Sequence, residues 1–294
     1  MVNATTSATT RPVLLGVILM IVGMSFIGLV DAAAKELAMQ LNGVQVAWTY
    51  FAAMLLSTLI TIVVRGDSIA KTWRTRRAGM QWLRAVSIVG SLAFLFYSLS
   101  FMPLADATVI SFLAPLIAVA LAGPILGETI GWRRWTAVCL GLGGAMLVIR
   151  PDRDVFQWVA LFPLVSAVSF ATFNLATRAI GTADTIYTSL LYTSFGATLI
   201  LSFAMPFVWQ WPSSEQWILI FIFGAFGLFA HLLIAKSLQL APVSAVAPIN
   251  YVRLVWAVSI GYFWFGDVPD AWAIAGGVII VASGLYAVYL GVRE

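Results

Sequence analysis

Charge is scarce in this sequence, and so are cysteine and histidine. Only 10% of its 294 residues are Asp, Glu, Lys or Arg, whereas 62% are apolar. A soluble domain carries about 25% charged residues, and so few polar side chains cannot cover a water-exposed surface of this size. The composition therefore excludes a soluble globular fold and a disordered chain.

The single cysteine, Cys139, excludes an intramolecular disulfide, and the single histidine, His231, excludes a zinc site built from several His and Cys residues. We therefore expect neither a metal ion nor a cofactor. An intramembrane enzyme would need clustered nucleophiles, acids or histidines, and this chain has only one histidine. We expect a protein that is not an enzyme.

In place of charge, the chain has ten long apolar runs separated by turn residues and charges. They lie at 13–30, 44–64, 81–101, 105–125, 132–149, 156–177, 186–208, 217–240, 244–265 and 271–291. A helix needs about 20 residues to cross a bilayer, and the runs lack the alternation of transmembrane β-strands. The sequence predicts an all-α polytopic membrane protein with ten transmembrane helices. The first run is longer than a signal-peptide core of about 7–15 residues, so we expect it to be retained.

Basic residues are distributed unevenly between alternate connections. Twelve Lys and Arg lie on the side of the N-terminus, three lie on the other side, and Arg253 lies within a run. Because cytoplasmic loops are enriched in Lys and Arg, both termini are predicted to be cytoplasmic. The basic connection at 65–84 is interpreted as this topology signal and as a contact with anionic lipid headgroups, rather than as a nucleic-acid site.

The most informative pattern is an internal repeat. A shift of 139 residues aligns Pro103 with Pro242 and Glu128 with Asp267. The repeat divides the chain into residues 1–150 and 151–294, with five runs each. Because five is odd, the second half must cross the membrane in the opposite sense, and inverted repeats of this kind are how many secondary transporters are built.

The residues that repeat also carry a family resemblance. The stretch 97–107, followed by Ala114-Pro115 and Gly127-Glu128, resembles the EamA-type repeat of the drug/metabolite transporter superfamily, and residues 237–245 through Gly266-Asp267 resemble a degenerate second copy. The resemblance implies ten helices and export of aromatic and other apolar amino acids across a bacterial cytoplasmic membrane, by alternating access through a central cavity between the repeats. Export of other metabolites or drugs is the nearest alternative, and a non-transporting membrane protein or lipid scramblase is the next.

Arg253 is the most deeply placed charge among the predicted spans. It lies 12 residues after Ala241, about 18 Å into the ninth run, and it shares a helix face with Asn250. In a water-filled cavity its guanidinium would bind a substrate carboxylate through two hydrogen bonds, with Asn250 beside it. The alternative is a structural arginine bonded to helix carbonyls or to an acid such as Asp31 or Asp106.

Other polar residues have two interpretations each. His231 would bind substrate or relay a proton, or it would bond to a neighbouring helix. Asp31 and Lys35 end the first run and align with Asn174 and Arg178, so helix capping is favoured, with a gate or proton site at Asp31 and a substrate contact at Asn174 as the functional alternatives. Glu128 and Asp267 are interpreted as acids that stabilise helix N-termini.

Aromatic residues and prolines complete the predicted site. Trp48, Tyr50, Tyr97, Phe170, Tyr251 and Trp256 would line a cavity for apolar side chains, or would serve as packing and interfacial residues. Pro115, Pro163 and Pro248 are expected to kink the spans that contain them, and Pro115 and Pro248 are candidates for gating motion. The expected partners are amino acids and membrane lipids but no nucleic acid, and the chain is predicted to be a monomer or a homodimer.

Overall fold

The computed structural model describes residues 6–126, 131–149, 156–181, 183–241 and 246–293, and within these ranges the chain is almost entirely helical, with no β-strand. The helices are α1 (Thr6–Ala38), α2 (Gly43–Val64), α3 (Ile69–Thr72), α4 (Ala78–Leu99), α5 (Leu104–Ser111), α6 (Ala114–Leu126), α7 (Trp132–Ile149), α8 (Phe156–Ile180), α9 (Ile186–Ser202), α10 (Met205–Val208), α11 (Ser214–Leu240), α12 (Val252–Phe265) and α13 (Ala271–Arg293). A 3₁₀ turn at Ala247–Tyr251 leads into α12.

Among the described residues, six helical stretches are long and apolar enough to cross a membrane. They are Val13–Ala38, Gly43–Val64, Ala78–Leu99, Leu104–Leu121, Trp158–Ile180 and Ser214–Leu238, and the shorter apolar helices Trp135–Ile149, Ile186–Ser202 and Ala271–Ala287 accompany them. The helices therefore lie where the apolar runs are, and the prediction of an all-α polytopic membrane protein is confirmed.

Helix ends fall where the sequence supplies capping and turn residues. The Asn42 side chain accepts a hydrogen bond from the backbone N–H of Val44 at the start of α2, and Ser213 and Gln216 form a reciprocal capping box before α11. Gly266 ends α12 with a φ of 70°, in the left-handed region where an L side chain is strained. Local chemistry thus ends the apolar helices at the predicted breaks.

The long helices pack in pairs that join the two halves of the chain. Helix α1 packs against α11, α4 against α8, α2 against α9, and α7 against α13. A Cβ atom on Gly144 of α7 would lie 2.9 Å from the carbonyl oxygen of Gly276 in α13, which is closer than real Cβ contacts. Such backbone approaches are typical of helices that associate in lipid, where small residues let them meet.

Two prolines that were predicted to kink spans instead stand near the starts of helical segments. The fourth predicted run is divided into α5 and α6 at Phe112 and Leu113, and Pro115 is the second residue of α6. Its missing N–H loses no helical hydrogen bond there. Pro248 is the second residue of the 3₁₀ turn before α12. The predicted kinks at these two positions are therefore wrong, because the chain begins a new segment there, whereas Pro163 does lie inside α8.

Some residues of the predicted repeat lie outside the described residues. They are Gly127-Glu128 and the segment 242–245, which contains Pro242.

Candidate functional site

A cavity of about 1020 Å³ opens at the end of the helix bundle that carries the basic connection. Its walls come from α4, α8, α9 and α11, and from the connections α2–α4 and α8–α9. The described residues that line it include the basic side chains Arg65, Lys71, Arg74, Arg76 and Arg84, and the acids Asp67 and Asp184. This surplus of positive charge favours an anionic group on a solute that enters the cavity.

Arg84 differs from the other basic residues of the cavity because it is buried, with 6% of its surface exposed. It is the seventh residue of α4, about 9 Å along the helix from Ala78. The guanidinium carbon lies 4.7 Å from the centre of the Phe173 ring on α8. The Nε and Nη1 atoms are buried and have no hydrogen-bond acceptor among the described residues.

Arg84 was not predicted as a site residue, because it was counted with the basic connection at 65–84. The signal was nevertheless present, since the third apolar run begins at residue 81 and therefore contains Arg84. A charge within an apolar run is a candidate for function. The error came from treating a run of basic residues as one solvated segment.

His231 of α11 lines the same cavity. Its Nδ1 atom lies 2.7 Å from the carbonyl oxygen of Gly227, one turn earlier in the same helix. Because a carbonyl oxygen only accepts hydrogen bonds, Nδ1 carries the proton. Phe170 stacks on Phe173 with ring centres 5.7 Å apart, and Asn174 is half-buried next to them on α8. These predicted residues therefore lie around or beside the cavity.

The mouth of the cavity is tied together by Asp184, in the connection between α8 and α9. Its carboxylate accepts hydrogen bonds from the Thr75 hydroxyl at 2.5 Å, the Gln81 amide at 2.9 Å and the backbone N–H of Arg76 at 3.3 Å. Partial burial by itself raises the pKa of Asp184, but these hydrogen bonds and the Arg76 charge outweigh it, so the pKa lies below its ordinary value. The α2–α4 connection is thereby held against the α8–α9 connection.

Towards the other end of the bundle, Arg253 is ion-paired with Asp31. This is the end where α1 finishes, and α2 leads from it to the basic connection. Arg253 Nε lies 2.5 Å from Asp31 Oδ2, and Nη2 lies 3.0 Å from Oδ1, so the contact is bidentate. Asp31 is 3% exposed. Of the two roles considered for Arg253, this conformation shows the structural one, because the guanidinium is bound to Asp31.

A second ion pair lies one helical turn further along α1. Lys35 binds the carboxylate of Asp267, which follows α12, and its ammonium lies 4.6 Å from the centre of the Phe265 ring. Lys35 lies in the last turn of α1, as predicted for a cation near a helix C-terminus, whereas Asp31 lies further inside the helix because α1 continues to Ala38. Both side chains also pair with the α12 region.

Asp267 also has a different role from the predicted one. It was interpreted as the acid that stabilises the N-terminus of the last helix. Instead, Asp270 Oδ1 accepts hydrogen bonds from the backbone N–H groups of Trp272 at 3.1 Å and Ala273 at 2.9 Å. Asp270 thus caps α13, which leaves Asp267 to its pair with Lys35.

Three further predicted residues surround the start of α12. Asn250 is half-buried in the 3₁₀ turn. The Tyr251 ring lies 5.1 Å from that of Phe112, and the Trp256 indole donates a hydrogen bond to the Ser25 hydroxyl at 2.9 Å. They lie beside Arg253 in the chain.

The remaining aromatic residues pack between helices. Tyr50 is 1% exposed and its ring centre lies 4.8 Å from that of Phe223. Trp48 donates a hydrogen bond to the Ser202 hydroxyl at 2.8 Å, and Tyr97 packs on the rings of Phe101, which follows α4, and Phe162 of α8. None of these three is among the described residues that line the cavity.

Apart from these three aromatic residues, the predicted site forms two groups, one around or beside the cavity and one around the Asp31–Arg253 pair. Among the described residues, no group of three or more His, Cys, Asp or Glu side chains is placed to hold a metal ion. The cavity offers a buried cation, an imidazole and aromatic rings. These groups suit the reversible binding of an organic anion or zwitterion.

Comparison with known proteins gives concordant matches over nearly the whole chain. The EamA-like transporter family matches residues 14–150 and again residues 157–289. An S-adenosylmethionine uptake transporter of Rickettsia prowazekii is 29% identical over 88% of this chain and 87% of its own length. A riboflavin transporter of Vibrio cholerae is 28% identical over 89% and 88%, and a pseudopaline exporter of Pseudomonas aeruginosa is 25% identical over 91% and 94%.

Several solved structures match this chain. One of them, a crystal structure, has a TM-score of 0.64 and 16% sequence identity, over 97% of this chain and 98% of the other. This similarity concerns the fold.

Proposed function

Because the chain belongs to the EamA-like transporter family, we propose that it is a secondary transporter that exports amino acids, or metabolites that contain an amino-acid group, across the cytoplasmic membrane by alternating access. The relatives named for S-adenosylmethionine, pseudopaline and riboflavin support a small organic solute. S-adenosylmethionine is itself an amino acid whose sulfur carries an adenosyl group, which supports the amino-acid class.

The observation that carries this proposal is the difference between the two ends of the bundle. A cavity of about 1020 Å³ opens beside the basic connection, while at the other end two ion pairs connect α1 to the α12 region. An alternating-access transporter must be accessible from one side while the other side is closed. The arrangement corresponds to a state that faces the basic end.

The proposed topology is ten transmembrane helices in two inverted repeats, residues 1–150 and 151–294. Two successive matches to the same family support the division into repeats. By the distribution of Lys and Arg, the basic connection and both termini are cytoplasmic, so the cavity faces the cytoplasm in this state.

We assign the two ion pairs to the gate on the far side. When that side opens, Asp31 and Arg253 must separate, and the guanidinium of Arg253 then becomes available to a polar group of the solute together with Asn250. Tyr251 and Trp256 are the aromatic residues nearest in sequence to this position. The segment starts at Pro115 and Pro248 are where the chain can change direction with the fewest helical hydrogen bonds to break.

The test is solute flux in proteoliposomes. Labelled phenylalanine, methionine, threonine and S-adenosylmethionine are measured in both directions, because the relatives include an uptake transporter and an exporter. Transport of at least one amino acid above protein-free vesicles is expected. Absence of flux for all of them would contradict the amino-acid proposal.

Riboflavin is included because a relative carries that name. If riboflavin is transported and no amino acid is, the protein is still a small-molecule transporter, but the proposed substrate class is wrong. A parallel assay with fluorescent phospholipid measures lipid flip, which distinguishes a scramblase from a solute transporter. Repeating the flux assay with and without a pH gradient determines whether protons are coupled to transport.

A further inference from the structure

Arg84 is a buried cation whose charge no described acid balances. It lies within α4, its Nε and Nη1 atoms have no acceptor among the described residues, and its side chain forms part of the cavity wall. Removing a guanidinium from water without a partner is energetically unfavourable. An ionisable residue placed in this way inside a membrane protein usually serves a ligand or a conduction path.

The acids of the cavity are engaged elsewhere. The Asp67 carboxylate is 3.0 Å from Arg65 Nε, and the Asp184 carboxylate accepts hydrogen bonds from Thr75, Gln81 and Arg76. Neither acid therefore neutralises Arg84. Since neither described acid of the cavity balances Arg84, a molecule that enters the cavity is the candidate source of the balancing charge.

The surroundings of Arg84 favour a particular kind of anion. The guanidinium carbon lies over the Phe173 ring, 4.7 Å from the ring centre. A guanidinium carries its N–H groups in one plane, in a geometry that matches a carboxylate. Phe170, stacked on Phe173, extends the apolar surface beside it. A carboxylate with an apolar group attached fits this combination.

We propose that Arg84 binds the carboxylate of the transported solute in the cytoplasm-facing state, with the apolar part of the solute against Phe173. This inference rests on the proposed function and assigns the anion site of that state to Arg84. Arg253 is occupied by Asp31 in the same state, so the two arginines alternate in contacting the solute as the protein changes conformation.

The test compares acids with their uncharged analogues. Wild-type protein in nanodiscs of phosphatidylcholine is titrated with L-methionine and L-phenylalanine, and separately with their carboxamides, which keep the side chain and lose the carboxylate. Hydrogen bonds to a charged group are worth enough to give about a tenfold or greater preference for the acid. The same titrations are made with R84Q, R84K and R133Q, the last being a matched loss of charge at exposed Arg133 of α7.

The preference for the acid is expected to disappear in R84Q, to fall part of the way in R84K, which keeps the charge but not the two-pronged donor, and to persist in R133Q. If R84Q does not fold, the R84K result decides, since an unchanged preference in R84K contradicts a bidentate contact. Equal binding of acid and carboxamide by the wild type would overturn the inference, and so would a preference that survives in R84Q.

Two further results separate this inference from its alternatives. If nanodiscs containing phosphatidylglycerol abolish the wild-type preference, the phosphate of a lipid headgroup occupies Arg84, and the inference is overturned. If the wild type transports an amino acid in proteoliposomes but shows no preference for the acid, the proposed function stands and the role of Arg84 is rejected. If no amino acid is transported, the proposed function itself has failed.

Discussion

Arg84 and Arg253 are both arginines placed among apolar helices, yet one has an acidic partner and the other has none among the described residues. Arg253 forms a bidentate pair with Asp31, whereas the Nε and Nη1 atoms of Arg84 lack an acceptor. A paired buried charge contributes to holding helices together, while an unpaired one is costly until a ligand arrives. The comparison therefore distinguishes Arg253, which connects helices through its ion pair, from Arg84, which is available to bind a ligand.

The two ends also differ in how their polar groups are joined. At the far end, the contacts are charge–charge pairs between α1 and the α12 region. At the basic end, Asp184 receives neutral hydrogen-bond donors from Thr75 and Gln81. Breaking the ion pairs at the far end should therefore lower the free energy of unfolding more than breaking the hydrogen bonds at the basic end. The following substitutions test this order.

The largest effect is expected from D31N. It leaves the guanidinium of Arg253 buried without its counter-charge, so the free energy of unfolding should fall by about 3–5 kcal/mol. Thermal unfolding in detergent measures the change. Adding R253Q to D31N removes the orphaned charge and should recover most of the loss, whereas D67N at an exposed pair should change stability by less than about 1 kcal/mol. An unchanged midpoint in D31N would contradict the paired interpretation.

The substitution R84M should change the free energy of unfolding in the opposite direction to D31N. It removes an unpaired buried charge and keeps an unbranched apolar side chain, so stability is expected to rise by about 2 kcal/mol, while amino-acid flux is lost. Thermal unfolding and proteoliposome flux are measured on the same preparation. R133M serves as the control and should change neither. A marked loss of stability in R84M would mean that Arg84 already has a partner within the protein, and the contrast with Arg253 would disappear.

A smaller effect is expected from S25A, which breaks the α1–α12 contact without touching a charge. The indole N–H of Trp256 loses its acceptor, and the free energy of unfolding should fall by about 1 kcal/mol. The control is S57A, because the Ser57 hydroxyl donates to the carbonyl of Ala53 in its own helix. Equal thermal midpoints for S25A and S57A would show that this contact does not help to hold α12 against α1.

The smallest change in stability is expected from a substitution at Asp184, and its size depends on pH. Because the pKa of Asp184 in the folded protein is below its ordinary value, its ionised form stabilises the fold above the ordinary pKa of about 3.9. That contribution is lost as the pH falls through the lowered pKa. D184N should lower the free energy of unfolding at pH 7 by less than about 1 kcal/mol at this partly exposed site, and the difference from wild type in thermal midpoint should narrow towards pH 3. A difference that grows on acidification would contradict the assigned sign.

Much of the helical arrangement was predictable, because apolar runs of sufficient length must form helices in a bilayer to satisfy their backbone groups. The turn at Gly266 and the break after Asn42 were also readable, since glycine and asparagine act locally. The helix starts at Pro115 and Pro248 were misjudged as kinks. A proline marks both a kink and a helix start, and the choice depends on whether neighbouring helices can accommodate a break.

The candidate site was less predictable than the helices. Arg253 was singled out correctly as a deep charge, but its partner was one of several alternatives, since Asp31 and Arg253 are 222 residues apart. Lys35 and Asp267 were each given a local capping role, because the pair that joins them spans 232 residues. Arg84 was overlooked because its basic neighbours in sequence concealed that it alone points into the bundle.

The sequence by itself determined that this protein lies in a membrane, that it is helical, and where most helices begin and end, because these properties follow from local hydrophobicity and capping. Only the tertiary structure decided which buried arginine is neutralised. That depends on which acid the packing of α1, α4, α8 and α12 brings within a few ångströms of each guanidinium. Coulomb attraction in a medium of low dielectric constant depends steeply on that distance, and no pattern along the chain encodes it.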